Sequence, residues 1–104
     1  MTFSQSYKEE KVIIGNAEAN YKIAGEGPAI LILHGWGGSS DSWIRVQQIL
    51  ANQGYKVIVP DFPGFGKSVT SSKPWSVREY IDWLNNFIEA CGEFAEPFFL
   101  LGHS

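Results

Sequence analysis

One pattern constrains this chain more than any other: three short apolar runs, each leading into a glycine-bearing loop, with helical spacing between them. The runs are AILIL at 29–33, KVIVP at 56–60 and FFLL at 98–101. Nearly continuous apolar character over so few residues is the mark of a strand covered on both faces. After the first run, Ser39, Ser40, Asp41 and Ser42 offer capping oxygens for a helix. Trp43, Val46, Ile49 and Leu50 then share one helical face, and Gly54 is the expected stop. After the second run, Ser76 and Glu79 have capping-box spacing. Tyr80, Ile81, Leu84, Phe87, Ile88 and Cys91 form the next apolar face, which Gly92 ends. Strand–helix–strand–helix–strand order demands crossover connections and predicts an α/β fold with a mostly parallel sheet.

Two further strands precede this unit. Val12, Ile13 and Ile14 are β-branched, Gly15-Asn16 is a turn signal, and 20–24 reads as a returning strand, so an antiparallel hairpin is predicted. Gly25-Glu26-Gly27-Pro28 breaks the chain after it. In open α/β sheets, ligands bind in the loops beyond the carboxyl ends of the strands. Here those loops read HGWGG, DFPGFGKS and GHS.

Several function classes are disfavoured by composition. With 104 residues the chain is one domain or part of one. A net charge of -3, with no basic stripe, argues against a nucleic-acid surface. The polar amino terminus lacks a secretory apolar core, and no apolar run is long enough to cross a bilayer, so the expectation is a cytoplasmic protein without a membrane partner. The single cysteine, Cys91, cannot form an internal disulfide, and its place on an apolar helix face is that of a small hydrophobe rather than a nucleophile.

The loop DFPGFGKS ends in Gly66-Lys67-Ser68, close to a phosphate-binding loop. That device needs a glycine five residues before Gly66, and the position holds Asp61. A carboxylate there would repel phosphate. Residues 69–74 also read as an irregular turn where a helix should open. The loop after the first buried strand, GWGGSS, lacks the last glycine of a dinucleotide fingerprint. Nucleotide binding is therefore not the predicted chemistry.

Residues 98–104, FFLLGHS, have the form of a buried strand running into a G-x-S-x-G nucleophile elbow, a strained turn that lifts a serine hydroxyl clear of the sheet. Gly102, His103 and Ser104 fill its first three positions. With LILHGWGGSSDSW (31–43), VIVPDFPGFGKS (57–68) and LLGHS (100–104) together, the chain resembles the N-terminal part of an α/β-hydrolase of the small esterase, aminopeptidase and C–C hydrolase type. The pairing of HGWG…W with D-x-PGFG-x-S is most similar to carboxylesterases that cleave a pimeloyl methyl ester in biotin synthesis.

The resemblance implies roles residue by residue. Ser104 would attack a carbonyl carbon to form an acyl-enzyme. The Trp36 backbone N–H would be one oxyanion donor, and the residue after Ser104 the second. Trp36, Phe62 and Phe65 would line the substrate pocket. His34, Gly35, Asp61, Gly64, Gly102 and His103 would shape the loops around it, with Asp61 anchoring a turn rather than serving as an acid. No metal or organic cofactor is implied. The family's catalytic acid and general-base histidine follow the serine in chain order, so His34 and His103 are not expected to be that base. Residues 1–104 thus read as the first part of one α/β-hydrolase domain ending at the elbow. Its partners would be a small acyl substrate and the remaining C-terminal part of the same polypeptide. Without that part the chain should be close to inactive, with a strand edge uncovered. The alternative is a non-catalytic binding module or pseudoenzyme on the same scaffold.

Overall fold

The computed structural model describes residues 7–15, 17–35, 38–63, 75–94 and 98–102. Five strands form one sheet: β1 (Lys8–Ile14), β2 (Ala17–Ala24), β3 (Ala29–Leu33), β4 (Lys56–Pro60) and β5 (Phe99–Gly102), in the order β1-β2-β4-β3-β5. The hairpin β1–β2 is antiparallel, β2 is antiparallel to β4, and β4, β3 and β5 are mutually parallel. Four of the five strands therefore run in one direction, with β2 opposed.

Between β3 and β4 lie a single 3-10 turn (Ser40–Trp43) and helix α1 (Ile44–Asn52). Helix α2 (Val77–Cys91) joins β4 to β5. Its start follows from the capping box: Ser76 Oγ accepts from the Glu79 N–H, and the Glu79 carboxylate accepts from the Ser76 N–H.

Strand residues alternate between two cores. Leu31 and Ile58 join Ala19, Tyr21, Trp83 and Phe87 on the α2 side. Ile30, Ile32, Val57 and Val59 pack on the α1 side against Trp43, Leu50, Ala51 and Tyr55. Both faces of β3 and β4 are covered, which is why their sequences do not alternate. Each fully buried aliphatic side chain here contributes about 1.5–3 kcal/mol by leaving water.

The helix faces differ from the sequence expectation at particular positions. On α1, Val46 and Ile49 stand at the surface while Gln47 is fully buried. The packed stripe is Trp43, Gln47, Leu50 and Ala51, and Val46 and Ile49 flank it. Gln47 earns its place by donating its amide N–H to the carbonyls of Lys22 and Val57. On α2, Ile81 is half exposed and Trp83 takes the core position, stacked on Phe87 at 5.5 Å. Strand β5 pairs with β3, but Phe99, Leu100 and Leu101 are all exposed, so this third run is not the covered strand its composition predicts. Among the described residues nothing packs over it as α1 and α2 pack over β3 and β4.

Candidate functional site

The parallel strands bring their carboxyl ends to one edge of the sheet. Leu33 stands opposite Gly102 in the β3–β5 ladder, so these two strands end side by side. Neighbouring strands are about 4.8 Å apart, which sets the spacing of the two exits. On the other side of β3, β4 ends at Pro60 and delivers Asp61 and Phe62 to the same edge. The sheet thus gathers His34, Gly35, Asp61, Phe62 and Gly102. Trp36, Gly64, Phe65, His103 and Ser104 lie outside the described residues, as do residues 69–74.

His34 is buried and ties two exits together. The Phe62 backbone N–H donates to its Nε2 at 3.1 Å. Its Nδ1 lies 2.9 Å from the Gly35 carbonyl. A backbone N–H can only donate and a carbonyl can only accept, so Nε2 is the acceptor and Nδ1 carries the proton. The Gly35 carbonyl also accepts from the Gly38 N–H, closing the ends of the loop after β3.

Asp61 is 1% exposed, and its carboxylate joins three parts of the chain. Oδ1 accepts from the Ser40 N–H at 2.6 Å, and Oδ2 accepts from Asn20 Nδ2 at 3.0 Å. Its own N–H donates to the Asn20 carbonyl. These charge-assisted bonds bind the β4 exit to β2 and to the start of the 3-10 turn.

The Phe62 ring packs edge-on against His34 at 5.1 Å and Tyr80 at 5.6 Å, and tilts against Trp83 at 5.4 Å. It therefore links the site edge to α2, and Trp75 extends the cluster through Tyr80.

No motif in the sequence pointed Asn20, Lys22 or Gln47 to this region, and Ser40 stood only among the capping oxygens of the next helix. Lys22 is buried on β2, with Nζ 2.7 Å from Ser40 Oγ and 2.8 Å from Asp41 Oδ1. The available signal was a strand, NYKIA, that puts Asn20 and Lys22 on one face where apolar residues would suffice.

Away from this edge, Tyr21 on β2 lies near Cys91 at the end of α2. Burial, then the neighbouring Cys91, pushes the Tyr21 hydroxyl well above its ordinary range. Burial likewise raises the Cys91 thiol, leaving little reactive thiolate near neutral pH.

A family model described as alpha/beta hydrolase fold matches residues 28–104, and the chain belongs to that family. It is 34% identical over 97 residues to a pyrrolizixenacetamide deacetylase of Xenorhabdus hominickii, covering 90% of this chain and 35% of that protein. It is 33% identical over 79 residues to a fluoroacetate dehalogenase of a Burkholderia species, covering 76% of this chain and 25% of that protein. The structure of a membrane phospholipase A, a bacterial virulence factor, superposes with a TM-score of 0.86 at 30% identity, over 95% of this chain and 32% of that one. The chain spans about a quarter to a third of the length of these relatives. Among the described residues, no helix is long and apolar enough to cross a membrane.

Proposed function

We propose that the protein carrying this chain is a serine hydrolase acting on a small ester or related acyl substrate through an acyl-enzyme, without a metal or organic cofactor. In this reading Ser104 attacks the carbonyl carbon, and the Trp36 N–H stabilises the oxygen on which negative charge develops. The observation that carries it is the register of Leu33 against Gly102. It ends the two strands that lead to HGWGG and GHS side by side. Nucleophile and oxyanion donor must face one reacting carbonyl, and adjacent exits meet that need.

The partners of His34 and Asp61 support giving both residues positioning roles. Each nitrogen of His34 has a backbone partner, and each oxygen of Asp61 has a framework donor. Phe62, with its ring against α2, would shape the inner wall of the pocket, together with Trp36 and Phe65. Gly35, Gly64, Gly102 and His103 would form the turns. A serine in the elbow separates this chain from family members whose nucleophile is aspartate, so acyl transfer is favoured over dehalogenation.

Hydrolysis of p-nitrophenyl esters tests the reading. An initial burst of nitrophenol equal to the enzyme concentration, abolished in Ser104→Ala, is the expected result. A folded protein with no burst and no turnover on short acyl esters would favour a non-catalytic binder on the same scaffold.

A further inference from the structure

Lys22 places a cation inside the sheet where the packing alone does not call for one. It is 1% exposed on β2. Taking an ammonium out of water costs several kcal/mol even after relaxation, and an apolar residue of similar volume is often no less stabilising. Its surroundings are specific. Nζ donates to Ser40 Oγ at 2.7 Å and pairs with Asp41 Oδ1 at 2.8 Å. Glu9 Oε2 is 3.9 Å away, and the Tyr7 ring centroid 5.8 Å.

Ser40 is itself fully buried and is gripped from two strands. Its hydroxyl accepts from Lys22 on β2, and its N–H donates to Asp61 just beyond β4. Asp61 returns to β2 through Asn20. At the other end of the same segment, His34 is bound to the Phe62 N–H. His34 and Ser40 are thus both fastened, and Ser40 is held by Lys22 as well as by Asp61.

We propose that Lys22 is a positioning residue: by holding Ser40 and Asp41 it fixes the start of the 3-10 turn against the sheet, beside the β4 exit. Its effect on rate rests on the hydrolase reading above, whereas the clamp itself does not. Displacing a reacting or stabilising group by about 1 Å can cost about 100-fold in rate.

Lys22→Met in the intact protein keeps the aliphatic stem and removes the ammonium. Amide hydrogen exchange at Ser40 should quicken by about tenfold or more, the equivalent of about 1.4 kcal/mol. On p-nitrophenyl acetate, kcat should fall by about tenfold or more while KM stays within about threefold. Ser40→Ala should lower kcat by a similar factor. The double variant should lose no more than either single one, because all three break one link. Unchanged exchange and kcat in folded Lys22→Met overturn the proposal, as do losses that multiply in the double variant. If Lys22→Met does not fold, Ser40→Ala decides: kcat within about twofold of the parent overturns it, and a loss of about tenfold upholds it. If the parent protein hydrolyses no ester, the hydrolase reading fails, and exchange at Ser40 alone decides the clamp.

Discussion

His34 and Asp61 both look like catalytic groups, and their hydrogen bonds give them other work. The His34 ring receives the Phe62 N–H on Nε2 and faces the Gly35 carbonyl with Nδ1, so its proton belongs on Nδ1. Nitrogen-15 NMR of the labelled protein should show that tautomer at neutral pH, and an Nε2-protonated ring would contradict the geometry. For Asp61, removal of both acceptors in Asp61→Ala leaves the buried Ser40 N–H and the Asn20 amide unmet. The expected loss is about 3 kcal/mol, read by urea denaturation. Asp61→Asn should lose less, about 1 kcal/mol, because Asn20 can turn its amide over and present its oxygen. Asp61→Asn that keeps full stability but loses all hydrolysis would instead mark Asp61 as an acid. At this scale the sequence was only partly readable. HGWGG and DFPGFG announced their loops, but nothing in either shows that Asp61 reaches Asn20, 41 positions away, or that Lys22 reaches Ser40. Such partners become neighbours only once β2 lies beside β4.

Among the elements, β3 and β4 and the start of α2 were legible because each carries a local physical signal: unbroken apolar runs and a capping box. Ser76→Ala should therefore cost about 1 kcal/mol. The helix faces were less so. On α1 the buried stripe contains Gln47, whose amide satisfies two strand carbonyls, and a hydrophobicity pattern passes over a glutamine. On α2 the buried positions are Trp83 and Phe87, one turn apart, while Ile81, which fits the same helical spacing to Leu84, stands half exposed. The break at 25–28 holds a harder constraint than composition conveys. Gly25 has φ +82° and Gly27 φ +123°. A β-carbon on Gly27 would meet the Gly54 carbonyl oxygen at 2.1 Å, and one on Gly25 the Tyr55 carbonyl oxygen at the same distance. Backbone cannot yield as a flexible side chain can. Gly27→Ala should lower stability by more than the roughly 1 kcal/mol of an ordinary glycine effect. A melting temperature unchanged by that substitution would refute the close approach of this loop to the α1–β4 turn.

For the molecule as a whole, stability should depend on alkaline pH through Tyr21 and Cys91. Burial raises both above their ordinary values of 10.0 and 9.0, so the folded chain holds these protons longer than the unfolded chain. The stabilisation is complete below pH 9 and declines once the unfolded chain begins to ionise. One proton per group sets a ceiling of about 1.4 kcal/mol per pH unit on the slope, and partial exposure keeps the fall below it. Urea denaturation between pH 8 and 11 should show this fall, and Tyr21→Phe should make it shallower. The five-strand order also underlies the proposed site, because Leu33 and Gly102 end adjacent strands at the same edge of the sheet. Treating the protein with a fluorophosphonate and mapping the adduct by peptide mass spectrometry tests that claim most directly. The account predicts one phosphonyl group per chain, on Ser104, and none after denaturation before treatment. A folded protein that takes up no label, or takes it up on another residue, would contradict it.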